Sequence, residues 1–135
     1  MKPWGRIMIL CASCLALAAM SACDNGSGTG TNMPGSGPPV GTAGVNLGTP
    51  SVHIAATDQL VFSPATQTVG VGQIVEWTNT GTVVHTITFD AYPYLSDPTL
   101  APGGTWEVRF TKAGTYPYHC TIHAGMTGTL TVTAS

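Results

Sequence analysis

The segment from Cys120 to Met126 places three kinds of metal-binding side chain within seven residues. Cys120 offers a thiolate, His123 an imidazole and Met126 a thioether, in the order Cys-x-x-His-x-x-Met. A second imidazole, that of His85, lies 35 residues earlier, at a core-facing position of an alternating segment. A buried face does not normally accept an imidazole beside a thiol unless a partner satisfies both groups. The four residues are therefore predicted to bind one metal ion.

The ligand types indicate copper. A thiolate and two imidazoles with a weak axial Met form the ligand set of copper sites that transfer single electrons. Thiolate and thioether suit Cu(I), and imidazole suits both oxidation states. Structural zinc sites instead use Cys and His, and catalytic zinc sites leave one position open. We predict one copper ion, bound by His85, Cys120, His123 and Met126, that cycles between Cu(I) and Cu(II).

The segments that carry these ligands read as β-strands. Apolar and polar side chains alternate in five segments, residues 73–79, 84–89, 105–110, 115–120 and 128–133, with Gly, Pro and Asn between them. No segment keeps a helical period over the length that a helix needs. The sequence thus predicts an all-β fold, a Greek-key β-sandwich of two packed sheets.

The run from Tyr116 to Met126, YPYHCTIHAGM, resembles the copper loop of the plastocyanin and amicyanin cupredoxins. The two-residue gap between His123 and Met126 is most similar to amicyanin, and the run 71–79 resembles the strand that leads to the first His ligand of that family. The likeness extends from about Leu60 to Val132. It implies the cupredoxin fold, one bound copper ion and a function as an electron carrier.

One position departs from the family pattern. Family members commonly have Asn directly after the first His ligand, where it helps to hold the loop that carries the Cys, and this chain has Thr86. We expect the hydroxyl groups of Thr86 and Thr121 to hold the loop instead.

The N-terminus reads as an export signal. Residues 1–22 combine an early positive region with an apolar stretch too short to span a bilayer comfortably. The sequence Met20-Ser21-Ala22-Cys23 resembles the lipobox of bacterial lipoproteins, which makes Cys23 the predicted lipidation site. The alternative is an ordinary signal cleaved near Ala22, which would leave a free periplasmic protein. Cys11 and Cys14 are lost with the signal in either case.

Residues 23–50 are rich in Gly, Ser, Thr and Pro and are predicted to form a flexible tether, followed by a copper domain at 51–135. The expected location is the periplasm, with Cys23 anchored in a membrane. Asp24 leaves the choice between inner and outer membrane open.

The predicted function is electron transfer between redox proteins that dock briefly near His123, with the chain as a monomer. The alternative is a periplasmic copper chaperone or storage protein, although such proteins carry exposed Met-rich or His-rich tracts and the tether has only Met33. An enzyme is not expected, because four His residues cannot supply the ligands of a second copper ion. A nucleic-acid partner is not expected either, since there is no basic run.

Overall fold

Alternating apolar side chains form the β-strands of the computed structural model, which describes residues 39–135. The strands, in chain order, are β1 Gly41–Gly44, β2 Val52–Ala56, β3 Phe62–Ser63, β4 Thr66–Gly70, β5 Ile74–Asn79, β6 His85–Ile87, β7 Asp97–Leu100, β8 Thr105–Phe110, β9 Gly114–His119 and β10 Thr127–Thr133. A single-turn 3-10 helix at Pro93–Leu95 precedes β7. The predicted all-β fold is confirmed, and the five predicted segments correspond to β5, β6, β8, β9 and β10.

The strands form two main sheets and a small third one. One sheet has the order β1-β8-β5-β2-β3, the second has the order β4-β10-β9, and β6 pairs with β7. An isolated bridge joins the small sheet to the second one, because Thr88 and His119 exchange backbone hydrogen bonds of 2.9 and 3.1 Å. This bridge brings the strand that begins at His85 beside the strand that ends just before Cys120.

The core lies between the sheets and is rich in aromatic side chains. Trp77 of β5 is fully buried and meets Tyr118 of β9 and Phe89 edge to face, with ring centroids 5.3 and 5.9 Å apart. Burying a large apolar side chain stabilises a fold by about 1.5–3 kcal/mol, as judged from the apolar surface that is removed from water. The core thereby fixes β5 and β9, the two strands that lead to the predicted ligands.

Residues 40–50 lie within the predicted tether, yet the structure orders them against β8. Val40 is 5% exposed, and β1 pairs antiparallel with β8 from Gly41 opposite Phe110 to Gly44 opposite Glu107. The chain then turns back, so that Leu47 N–H donates to Glu107 Oε2 (2.6 Å) and Leu47 O accepts from Arg109 Nη2 (2.8 Å). Strand β1 therefore begins at Gly41, ten residues before the predicted boundary at residue 51. Glu107 is buried, and its carboxylate accepts the Leu47 N–H of this segment.

The predicted signal, the lipidation site at Cys23 and the first part of the predicted tether lie outside the described residues. Among residues 39–135, no helix is long and apolar enough to cross a membrane.

Candidate metal centre

His85 is the most enclosed of the predicted ligands. It begins β6, its side chain is fully buried, and neither ring nitrogen has a hydrogen-bond partner among the described residues. Burial lowers the pKa of His85, and the neighbouring His123 lowers it further, while the carboxylate of Asp58 and the backbone of Thr57 oppose the shift. A neutral imidazole, which is the form that binds metal, is therefore favoured here.

Cys120 lies one residue beyond β9 and is 4% exposed. Its Sγ accepts a hydrogen bond from Thr86 N–H (3.4 Å) and lies 3.5 Å from His123 Nδ1. Cys120 is a free cysteine within the described part of the chain. The sulfur thus faces the two imidazoles and is available as a ligand.

The loop from Cys120 to Met126 is closed by its own backbone. Cys120 N–H donates to Met126 O (2.9 Å), and Met126 N–H donates to His123 O (3.3 Å). Gly125 has a φ of +83°, a backbone conformation that residues other than Gly rarely adopt. This conformation lets the chain turn from His123 back to Met126. Met126 is 1% exposed, whereas His123 is half-buried, so the loop directs one ligand inward and leaves the other near the surface.

The fold brings three predicted ligands together. One ligand atom each from His85, Cys120 and His123 lies within 4.8 Å of the other two, and the two imidazole centroids are 4.9 Å apart. Met126 stands at the end of the same loop and is tied by its backbone to both Cys120 and His123. The cluster could hold one metal ion.

Thr86 joins the strand of His85 to the loop of Cys120. Its Oγ1 accepts from Thr121 N–H at 2.8 Å and lies 3.1 Å from Thr121 Oγ1 and 3.3 Å from Thr88 Oγ1. Its backbone N–H is the donor to the Cys120 sulfur. One residue therefore holds the loop at both Cys120 and Thr121, and the hydroxyl groups of Thr86 and Thr121 meet as expected at the position where family members commonly have Asn.

Asn79, the last residue of β5, positions the ligand His85. Its buried side-chain amide donates to Val83 O (2.7 Å) and Leu100 O (2.9 Å), and its Oδ1 accepts from Gly81 N–H (2.9 Å). The bonds to Val83 and Gly81 shape the loop before His85, and the bond to Leu100 ties Asn79 to the residue of β7 that pairs with His85. Asn-x-Gly is a turn signal, and the residues that its amide would reach were not visible in the sequence.

The other two histidines of the domain lie apart from this cluster. His119 Nδ1 is 3.5 Å from Asp90 Oδ2 at the surface, and His53 Nδ1 is 2.9 Å from Glu76 Oε1 on the outer face of the five-stranded sheet. Neither joins the ligand atoms of His85, Cys120 and His123.

The chemistry of the cluster fits a copper ion. Two buried ring nitrogens without partners cost free energy, about 1–3 kcal/mol for each unsatisfied group, and a metal ion bound to one of them would remove part of that cost. The donors are one sulfur of a free Cys and two imidazoles, with a thioether at the end of the loop. This is the set that accommodates both Cu(I) and Cu(II).

Comparison with known proteins gives consistent results. The family described as cupredoxin-like domain matches residues 11–132. Plastocyanin of Scenedesmus fuscus is 38% identical over 90 residues, which cover 58% of this chain and 92% of that protein. Amicyanin-alpha of Methylorubrum extorquens is 37% identical over 65 residues, which cover 45% of this chain and 55% of that protein.

Solved structures show the same fold. The purple cupredoxin from Nitrosopumilus maritimus superposes with a TM-score of 0.57 at 27% identity, covering 62% of this chain and all of that one. A Cu(I) form of an amicyanin variant has a TM-score of 0.55 at 27% identity, covering 60% of this chain and 80% of that one.

Proposed function

The chain belongs to the cupredoxin-like domain family, and on that premise we propose that it is a blue-copper protein that carries single electrons between redox proteins. His85, Cys120, His123 and Met126 would hold the ion. The observation that carries the proposal is that the thiol of Cys120 and the imidazoles of His123, in the same loop, and His85, on β6, converge to within 4.8 Å, and that the loop ends in the buried Met126.

Copper, when bound, would supply a one-electron couple between Cu(I) and Cu(II). The protein's part is to keep the ligands in place whichever oxidation state is present. His85 is fixed by its strand and by the Asn79 network, and Thr86 restrains Cys120 and Thr121. Ligands held in this way rearrange little, and a small rearrangement is what rapid electron exchange requires.

Partner proteins would dock at the end of the sandwich where the ligands converge. His123 is the ligand that reaches the surface, and Ile122 beside it is 54% exposed. Other exposed apolar side chains occur in the two loops that flank His85, namely Leu60, Val61, Val83 and Val84. A small apolar surface of this kind suits the brief encounters of electron carriers, which use small interfaces.

We further propose that the protein is exported and held at a membrane through a lipid on Cys23, with a tether between Cys23 and β1. The entry point of the chain into the domain supports this arrangement. Val40 O accepts from Thr111 N–H beyond the end of β8, whereas the Thr105 end of β8 pairs with Thr78, on the side of the His85 loop. Six residues of strand separate these ends by about 17 Å. The tether would thus enter at the end opposite the docking surface and leave that surface free.

A copper chaperone or storage protein is the alternative proposal. Such a protein must release Cu(I) to an acceptor, whereas a carrier must retain copper through repeated redox cycles. The enclosure of His85 and Met126 favours retention.

Addition of one equivalent of Cu(II) to the purified metal-free protein tests the proposal. We expect an intense visible absorption from charge transfer between the thiolate and copper, and its reversible loss on reduction. A protein that binds copper without this band, or that transfers Cu(I) to a chelator within a few redox cycles, would contradict the carrier assignment.

A further inference from the structure

The side chain of Asp58 joins two loops beside the candidate metal centre. Asp58 follows β2, and its Oδ1 accepts from Thr82 N–H at 2.6 Å. The Thr82 hydroxyl lies 3.3 Å from both carboxylate oxygens. Thr82 belongs to the loop of residues 80–84, which leads directly into His85. A single carboxylate therefore connects the β2–β3 loop to the segment that delivers the buried ligand.

Gly81 allows this connection to be tight. A Cβ at position 81 would collide with the Asp58 carboxylate and with Asp58 N. The loop is held on its other side by the Asn79 amide, which binds Val83 O. The residues before His85 are thus fixed from two directions, by a neutral amide in the core and by a carboxylate at the surface.

The carboxylate also acts through its charge. The hydrogen bond from Thr82 N–H is the main reason that the pKa of Asp58 is lowered, which keeps the group ionised near neutral pH. Its field reaches the His85 imidazole, whose pKa it raises. The two cationic side chains of the described residues are Arg109 and Lys112. They lie at or beyond the Phe110 end of β8, whereas the Thr105 end pairs with Thr78 near the His85 loop, so they do not offset this charge.

We propose that Asp58 is a positioning residue that fixes the approach to His85 and whose negative charge favours the oxidised form of the bound metal. This inference rests on the proposed function, because it assumes that copper binds at His85. A nearby negative charge stabilises the ion with the higher positive charge. Cu(II) is therefore favoured over Cu(I) while Asp58 is present.

Three variants of the full-length protein separate the two roles. Asp58→Asn keeps an oxygen acceptor for Thr82 N–H and removes the charge, whereas Asp58→Ala removes both. Glu76→Gln is the matched control, since it removes one negative charge from the outer face of β5. The Cu(I)/Cu(II) equilibrium is measured by titration with a redox mediator, and hydrogen exchange of the Thr82 amide is measured in the metal-free protein.

We expect Asp58→Asn to raise the ratio of Cu(I) to Cu(II) a few-fold at a fixed solution potential, with the shift reduced at high salt because exposed charges are screened. Hydrogen exchange of the Thr82 amide should be faster than wild type in Asp58→Ala. In Asp58→Asn the increase should be much smaller, because an acceptor for Thr82 N–H remains. An unchanged ratio in Asp58→Asn, or an equal shift in Glu76→Gln, would overturn the role of the charge. Unchanged Thr82 exchange in Asp58→Ala would overturn the positioning role. Wild-type protein without the visible copper band would instead refute the proposed function, so the two failures are distinguishable.

Discussion

Replacing Thr86 with Val tests whether its hydroxyl holds the Cys120 loop. The substitution keeps the branched shape of a side chain that is 4% exposed and replaces its hydroxyl group with a methyl group. Thr121 N–H then loses its acceptor at 2.8 Å, and the contacts to the Thr121 and Thr88 hydroxyls are lost as well. The hydrogen bond from Thr86 N–H to the Cys120 sulfur can remain, because the backbone is unchanged.

The expected cost follows from the burial of the group that is left without a partner. An unsatisfied buried N–H costs about 1–3 kcal/mol, and Thr121 is an exposed residue, so water can reach its N–H and the cost should lie near the lower limit. A loss of about 1 kcal/mol lowers the Tm of a domain of this size by roughly 4–8 °C. It also raises the equilibrium constant for the local opening that exposes the Thr121 amide by about fivefold.

Thr86→Ser is the matched variant, since it keeps the hydroxyl and removes one methyl group. That methyl is worth about 0.8 kcal/mol of burial, so the two variants should lower global stability by similar amounts. Hydrogen exchange at Thr121 and the rate of copper release distinguish them, because both should increase in Thr86→Val and stay near wild type in Thr86→Ser. Equal Thr121 exchange in the two variants would refute the role of the hydroxyl.

Four further substitutions test other parts of the proposal. Cys120→Ser should abolish the visible band because the band requires the thiolate, and absorption spectroscopy that still shows it would exclude Cys120 as a ligand. Met126→Leu should still bind copper but with a changed reduction potential, since the axial ligand is weak; voltammetry that gives the wild-type potential would show that Met126 is not that ligand. Cys23→Ala should move the protein from the membrane fraction to the supernatant, because a multiply acylated Cys exceeds what stable anchoring needs, and continued sedimentation with membranes would mean another anchor. Tyr118→Phe removes a buried hydroxyl that has no hydrogen-bond partner among residues 39–135, and burial raises the pKa of this phenol to about 12. Wild-type stability should fall as the pH rises from 10 towards 12, since the unfolded phenol ionises first, and denaturant unfolding of the variant should show a smaller fall and no loss of stability at neutral pH.

The sequence determined the features that depend on short separations along the chain. The ligand loop lies within seven residues, so spacing alone was enough to group Cys120, His123 and Met126 as one candidate site. Alternation with a period of two determined the strands that became β5, β8 and β10, because side chains on a strand point to opposite faces in turn. These signals are local, and they were sufficient for the all-β fold and for the chemistry of the ligands.

The tertiary structure decided which distant groups meet. His85 lies beside Cys120 because Thr88 pairs with His119, a contact between segments about thirty residues apart that no local pattern specifies. The reach of the Asn79 amide to Leu100 and of Asp58 to Thr82 was likewise settled by packing.

The same holds for the pairing of residues 40–50 with the sheet. Residues 40–50 have the composition of a flexible linker, and they are ordered because the free edge of β8 offers unpaired backbone groups and the side chains of Glu107 and Arg109 hold the peptide groups of Leu47. The amino-acid composition of a segment indicates how much apolar surface that segment can bury by itself. Whether a neighbouring strand edge will bind that segment depends on the assembled sheet, and this is why the boundary could be found only in the tertiary structure.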